Sequence, residues 1–122
     1  MVKQMTFQTQ DYNITIYQGA DLDENITLYS DSVGTKFDLT GYTARMQIRA
    51  TVNSSSVIKE LTTENGGIIL GGTLGTIKIY MPATQTDLIT SSGVYDLELV
   101  NITGGVIRLL QGSATLSLQV TR

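Results

Sequence analysis

Apolar and polar residues alternate along most of this chain, and a two-residue period predicts β-strands. The stretch FDLTGYTARMQIRA, residues 37–50, opens with a turn, after which one side of the predicted strand is apolar, with Ala44, Met46, Ile48 and Ala50. The other side is polar, with Thr43, Arg45, Gln47 and Arg49. The same rhythm predicts strands over residues 12–18, 25–29, 57–62, 68–70, 76–81, 93–100, 105–111 and 114–120.

Helical signals are scarce, and PATQTDLI, residues 82–89, is the segment that favours a short helix. Pro82 suits the first helical position, and Leu88 and Ile89 are expected to cover one end of the core. The segment lies between two predicted strands, as a crossover connection would. Asn101 to Gly104 separates two strands and predicts a hairpin loop.

Short strands without a long helix predict an all-β fold, an antiparallel β-sandwich with one short helical crossover at about residues 82–89. A partly open barrel is the alternative. Residues 12–122 are expected to form a single domain, and residues 1–11 are expected to be either an edge strand or an arm that reaches a neighbour.

The amino-acid composition argues against several classes of function for this chain. The 122 residues include neither cysteine nor histidine, which excludes disulfides, thiolate metal sites and the usual general base at neutral pH. The net charge is −3 and the basic residues are scattered, so we expect no nucleic-acid binding. The first residues contain no apolar h-region, so we expect no signal peptide, and no run approaches the ~20 apolar residues of a membrane helix. We therefore expect no membrane contact, no cofactor, no metal and no small-molecule substrate.

Two arginines on one strand face of an acidic chain need a counterpart. Asp96 and Glu98 lie on the polar side of the strand over residues 93–100, and Arg108 lies on the polar side of the next strand. Cross-strand pairing predicts that the strands containing Arg45 and Asp96 are neighbours, with Arg108 near Glu98. The alternatives are a ligand site and a partner contact. The candidate interface residues are Arg45, Arg49, Met1, Val2, Met5 and Phe7.

Other candidate sites give no chemistry. The acids of ADLDEN, Asp21, Asp23 and Glu24, lack the spacing of a calcium loop and are interpreted as a solvated turn. The glycine-rich stretch GGIILGGTLG lacks the lysine and helix start of a phosphate-binding loop. Asp96 and Glu98 could form a carboxylate pair, but neighbouring arginines would keep both ionised, which is unsuitable for a general acid.

The order of motifs resembles a family of small bacteriophage and prophage structural proteins, in particular the immunoglobulin-like N-terminal domains of baseplate upper proteins. The resemblance covers about residues 12–122 and depends on these segments in sequence: ITIYQGADL, FDLTGYTARMQIR, LTTENGGIIL, GTIKIYMPATQTDLI, GVYDLELV and GVIRLLQGSATLSLQVTR. Met1 to Asp11 lie outside it. No fibre-shaft or receptor-binding extension follows Arg122, so we expect a stand-alone copy of the domain.

The resemblance implies an immunoglobulin-like sandwich that serves as a non-enzymatic virion component of the tail, baseplate or fibre-attachment region. It implies assembly in the cytoplasm of the bacterial host, other virion proteins as partners, and a homo-oligomer or several symmetric copies. One alternative is a capsid decoration, or cement, protein of the phage head. Another is a carbohydrate-binding module for host surface glycans, which predicts tyrosines clustered on an exposed face.

Overall fold

Two β-sheets face each other across a core of aliphatic side chains. The computed structural model describes residues 2–4, 9–31 and 33–122, with residues 2–4 as backbone only. In chain order the elements are β1 (Val2–Gln4), β2 (Gln10–Asp11), β3 (Ile14–Tyr17), β4 (Leu22–Tyr29), β5 (Thr43–Arg49), β6 (Lys59–Thr62), β7 (Ile68–Leu70), β8 (Thr76–Met81), α1 (Ala83–Thr86), β9 (Gly93–Val100) and β10 (Val106–Ser117). A 3₁₀ turn at Gly72–Leu74 precedes β8.

The smaller sheet has four strands in the order β1-β4-β8-β7, and the larger has six, in the order β2-β10-β9-β5-β6 with β3 also paired to β10. Taken in chain order, this is the strand arrangement of an immunoglobulin domain, with a B-E-D sheet facing a C′-C-F-G sheet. The predicted all-β, immunoglobulin-like sandwich is confirmed. The pairing is not wholly antiparallel, because β1 runs parallel to β4 and both β2 and β3 run parallel to β10.

The predicted alternation positions the core. In β5 the buried side is Ala44, Met46 and Ile48, and in β9 it is Tyr95, Leu97 and Leu99. The core residues are mostly isoleucine and leucine, so burial of apolar surface is the main stabilising term. Ala50, which the pattern placed on the apolar side, lies beyond the end of β5 and is exposed.

The helical crossover is confirmed but is shorter than predicted. Helix α1 spans four residues and connects β8 of the smaller sheet to β9 of the larger sheet. Ile89 is buried, whereas Leu88 is 77% exposed, so only one of the two residues expected to cover the end of the core does so. In the described ranges, no helix has the length and hydrophobicity of a membrane crossing.

The last two predicted strands form one strand of 12 residues, β10. Gly112, which lies between the two predicted strands, is a point of close approach, because a Cβ there would lie 2.6 Å from the carbonyl oxygen of Tyr12. A bulge between Arg108 and Leu110 adds one residue to the strand, so that Leu109 and Leu110 are both buried although they are adjacent in sequence.

The strand predicted to continue to Val120 ends at Ser117. The alternation places Leu116, Leu118 and Val120 on one face, but Leu118 and Val120 lie beyond the end of the strand and are 69% and 90% exposed. The neighbouring strand β3 ends at Tyr17, and beyond it the N–H of Gln119 donates to the side-chain Oε1 of Gln18 at 3.1 Å. A side chain therefore replaces the backbone partner that a longer strand would need.

Candidate interaction surface on the six-stranded sheet

The outward face of the larger sheet carries the predicted arginine–acid pairs. Strands β5 and β9 are adjacent and antiparallel, with Arg45 directly opposite Glu98. The Nε of Arg45 lies 2.7 Å from Oε1 of Glu98. The predicted adjacency is confirmed, and Arg45 neutralises an acid of its own sheet. Its side chain is 55% exposed, so the pair contributes at most about 1 kcal/mol.

Arg108 flanks the same acids from the other side. It lies opposite Glu98 in the pairing of β10 with β9, but its Nε approaches Oδ2 of Asp96 at 3.6 Å. The acids of β9 therefore lie between arginines on both neighbouring strands, as the sequence predicts. The predicted register is confirmed, although Arg108 stands beside the bulge and its side chain extends diagonally to Asp96.

Arg49 has a different role from Arg45. Its Nη2 donates to Oε1 of Gln47 at 2.8 Å, and its Nη1 donates to the backbone carbonyl of Ser54 at 2.8 Å. The part of the chain that the structure describes gives it no acidic partner within salt-bridge distance. The expectation that Arg49 neutralises a neighbouring strand is wrong; it holds the loop after β5 against the sheet.

Amide side chains connect the acids on the same face. Gln47 donates from Nε2 to Oε2 of Glu60 on β6 at 2.8 Å, and Gln111 donates to Oδ1 of Asp11 on β2 at 3.2 Å. Paired positions place these residues in one row across the sheet, with Asp96 between the two glutamines. We call the two rows together the polar ladder: Arg45, Glu98 and Arg108 in one row and Glu60, Gln47, Asp96, Gln111 and Asp11 in the other.

A shallow groove lies over one part of the polar ladder. Its volume is ≈ 480 Å³, and Arg49, Val52, Asp96, Arg108 and Gln111 are among the residues that line it. The arginines in it already contact protein groups, and the sequence has no histidine or cysteine to act as a nucleophile or base beside them. Among the described residues, no cluster of acids has the arrangement of a metal site.

The candidate interface residues do not all fall in one place. Arg45 and Arg49 lie on β5 of the larger sheet, whereas Val2 lies on β1 at the edge of the smaller sheet. Met1, Met5 and Phe7 lie outside the described residues. Val2 therefore does not share the outward face that carries the arginines.

A second, partly buried polar group packs beside the core and was missed by sequence reasoning. Glu24 belongs to β4 and faces inward with Leu22 and Ile26, so the interpretation of it as part of a solvated turn is wrong. Its Oε2 accepts a hydrogen bond of 2.9 Å from the hydroxyl of Tyr12. The hydroxyl of Tyr95 donates to the backbone carbonyl of Tyr12. We call Tyr12, Glu24 and Tyr95 the inner cluster.

The inner cluster shifts the acidity of its phenols. Burial, together with the hydrogen bond to Glu24 and its negative charge, raises the pKa of Tyr12 to about 12. Burial also raises the pKa of Tyr95, with smaller contributions from the charges of Tyr12 and Glu24. Both phenols are neutral at physiological pH and act as hydrogen-bond donors. The alternation of Leu22, Glu24 and Ile26 along β4 was the signal that could have placed Glu24 inside.

The motif QGADL, residues 18–22, fastens the crossover helix. Oδ1 of Asp21 accepts from the N–H of Ala83 at 2.8 Å. The hydroxyl of Thr86, which is fully buried, donates to the carbonyl of Ala20 at 2.8 Å and accepts from the N–H of Gly19 at 3.0 Å. The conformation of Gly19, with φ of 82°, brings this turn against the helix. The motif therefore has a structural role that joins the two sheets at one end.

Comparison with known proteins gives a fold but no family. No family model matches the sequence, and no curated protein does either. Among solved structures, the N-terminal domain of phage TP901-1 ORF48 is similar over 95% of this chain and 94% of that one, with a TM-score of 0.53 and 8% sequence identity. This chain has the fold of a phage protein domain. At that identity, the match concerns the fold alone.

A further solved structure extends the comparison outside phages. A chain in the crystal structure of ICOS in complex with ICOS-L and an anti ICOS-L VNAR domain covers 91% of this chain at 13% identity. The match covers 56% of that chain and its TM-score is 0.43, too low to support any conclusion about this protein.

Proposed function

We propose that this chain is a non-enzymatic structural protein of a bacteriophage virion, located in the tail, baseplate or fibre-attachment region, where it docks other virion proteins in several symmetric copies. The observation that carries the proposal is the phage domain of the same fold, matched over nearly the full length of both chains. The ordered motifs that resemble baseplate upper proteins point to the same region of the virion.

The chemistry of the surface agrees with a docking role. The polar ladder and the groove over part of it present paired ions and amides. The sequence has no histidine or cysteine to catalyse a reaction there. Charged groups at the rim of a protein–protein interface orient the two partners and discriminate between partners more than they add affinity. A virion component that must find one neighbour among many needs this kind of surface.

The test is the position of the chain in particles of the phage or prophage that encodes it. Purified particles are labelled with gold-conjugated antibody against the folded chain, and empty host lysate treated in the same way is the control. We expect label at the tail or its tip in regular copy number. Label over the head would instead identify a capsid decoration protein, and particles that lack the chain would overturn both assignments.

The structure does not favour the carbohydrate-binding alternative. That function needs aromatic rings side by side on an exposed face. Tyr17 is 61% exposed at an edge of the larger sheet, whereas Tyr12 and Tyr95 are occupied in the inner cluster and Tyr42 packs edge-on against Phe37. Tyr29 and Tyr80 are half-buried on β4 and β8 of the smaller sheet. Saturable binding on a glycan array would nevertheless replace the docking proposal.

A further inference from the structure

The two outer edges of the six-stranded sheet differ in how their backbone groups are satisfied. At the β6 edge, Asn65 covers the strand: its Nδ2 donates to the carbonyl of Glu60 at 3.0 Å, and its Oδ1 accepts from the N–H of Thr62 at 2.9 Å. Charged residues also occupy this edge, at Lys59 and Glu60. Side-chain caps and charges are devices that prevent an edge from pairing with another chain.

The β3 edge has no such cap in the described part of the chain. The N–H of Tyr12 and that of Gln18 donate to carbonyls of β10, at 2.8 and 3.0 Å, and the pairing keeps one register throughout. Because backbone groups alternate in direction along a strand, the even-numbered residues bond to β10 and the odd-numbered residues face away. The N–H and C=O of Thr15 and the N–H of Tyr17 therefore point outward, and both residues are exposed.

The composition of this edge suits another copy of the same chain. Residues 12–20 contain no charged side chain, although the chain as a whole carries a net charge of −3. Two acidic copies repel each other over most of their surfaces, and the repulsion is least where no acid faces an acid. In an antiparallel pairing about Thr15, Asn13 lies opposite Tyr17 of the second copy, and Asp11 lies opposite Gly19 of the second copy. No like charges meet in this register.

We propose that β3 is a self-association edge, at which two copies of this chain pair antiparallel about a twofold axis at Thr15. The N–H of Thr15 donates to the carbonyl of Thr15 of the second copy, and the reciprocal bond completes the pair. The side chains then match by face, with Thr15 beside its equivalent outside and Ile14 beside Ile16 of the second copy inside. Threonine pairs are favourable across strands. The proposal holds whether or not the chain belongs to a virion.

Two substitutions test the edge and one controls for composition. Thr15→Pro removes the outward N–H, and proline is tolerated on edge strands where that N–H is unpaired. Thr15→Lys adds a charge that blocks pairing. Thr115→Lys places the same charge on the neighbouring strand, directly beside Thr15, and leaves the edge backbone unchanged. Sedimentation equilibrium of the full chain should show a dimer whose dissociation constant rises at least about tenfold in both Thr15 variants and stays nearly unchanged in Thr115→Lys.

A second readout uses the unmodified chain. Amide hydrogen exchange at Thr15 and Tyr17 should slow as protein concentration rises, while exchange at the capped Thr62 stays constant. A wild-type chain that is monomeric up to about millimolar concentration overturns the proposal. A dimer that Thr15→Pro leaves intact, or one that forms without protection of the Thr15 amide, overturns it as well. If the wild-type chain stays monomeric but binds a different protein through β3, then β3 is a binding edge but self-association is overturned.

Discussion

The polar ladder on the outer face of the larger sheet and the polar contacts inside the sandwich use similar residues in opposite surroundings. Outside, Arg45 and Glu98 pair at 2.7 Å with both side chains reached by water. Inside, Thr86 is fully buried, and the half-buried Glu24 accepts a hydrogen bond from Tyr12. Water replaces a lost partner of Arg45 readily but does not reach the buried hydroxyl of Thr86, so loss of that inner contact costs more. Glu24 is half-buried, as Glu98 is, so the cost of losing its hydrogen bond lies between these two cases. Distances alone do not distinguish the two regions; access to water does.

The largest loss of stability is expected on substitution of Thr86. If that loss were absent, inner and outer polar contacts would not differ in cost. Thr86→Val keeps the shape of the side chain but removes the hydroxyl that joins the carbonyl of Ala20 and the N–H of Gly19. Two backbone groups would be left without partners, so we expect the free energy of unfolding to fall by about 2–4 kcal/mol. Urea unfolding measures it. Thr115→Val, on an exposed position, is the matched control and should change stability by less than about 0.5 kcal/mol.

A fall of less than about 1 kcal/mol in Thr86→Val would mean that the joint between the crossover helix and residues 18–22 contributes little. Thr86→Ser adds a check, because it keeps the hydroxyl and removes one methyl group. It should lose less stability than Thr86→Val.

The inner cluster should show the next largest effect. Tyr12→Phe removes the only hydrogen-bond donor that the described structure gives to Glu24, and hydrogen bonds to charged groups contribute about 1.5–3 kcal/mol. We expect a loss in that range by urea unfolding. Tyr17→Phe is the control, since the Tyr17 side chain is 61% exposed and its hydroxyl is free to bond with water. Equal losses of unfolding free energy in the two variants would show that the hydrogen bond from Tyr12 to Glu24 contributes no more than the bond of an exposed hydroxyl to water.

Alkaline pH should weaken the inner cluster by a smaller amount. The folded-state pKa of Tyr12 is about 12, above its ordinary value near 10, so between these values the folded chain holds a proton that the unfolded chain has released. The unfolded state therefore gains relative stability, and the free energy of unfolding falls as pH rises from about 10 to about 12. The full contribution is present below about pH 10. Unfolding curves at pH 8 to 11.5 should fall less steeply for Tyr12→Phe than for the wild-type chain.

Sequence reasoning placed the outer region of the molecule better than the inner one. The alternation along β5 and β9 predicted both the adjacency of the strands and the pairing of Arg45 with an acid of β9, because charge pairs on a sheet face follow directly from a period of two. It failed at Arg49, whose partners are an amide and a loop carbonyl. No periodic pattern specifies a bond to a loop.

The errors inside the molecule share a different cause. Gly112 lies between two segments that the alternation predicts as separate strands, but it belongs to β10, where its lack of a side chain allows Tyr12 to approach. Glu24 resembled a surface acid because it follows Asp21 and Asp23. Both depend on contacts with residues distant in sequence, which local composition does not report. The alternation of apolar and polar residues likewise did not predict strand β1 or its parallel pairing with β4. An edge strand was, however, one of the two expectations for residues 1–11.

The smallest effect is expected at Arg45, and it sharpens the comparison by separating stability from assembly. Arg45→Ala breaks an exposed pair, so the free energy of unfolding should fall by at most about 1 kcal/mol, less than for either inner variant. If the polar ladder only serves the sheet, particles should incorporate this variant normally. If it also meets a partner, the variant should show the same small loss of stability and yet disappear from particles, because partner contacts add nothing to the stability of the free chain. Glu98→Gln removes the other charge of the pair and separates the two cases further: a partner that recognises the arginine itself would tolerate it, whereas one that needs the intact pair would not.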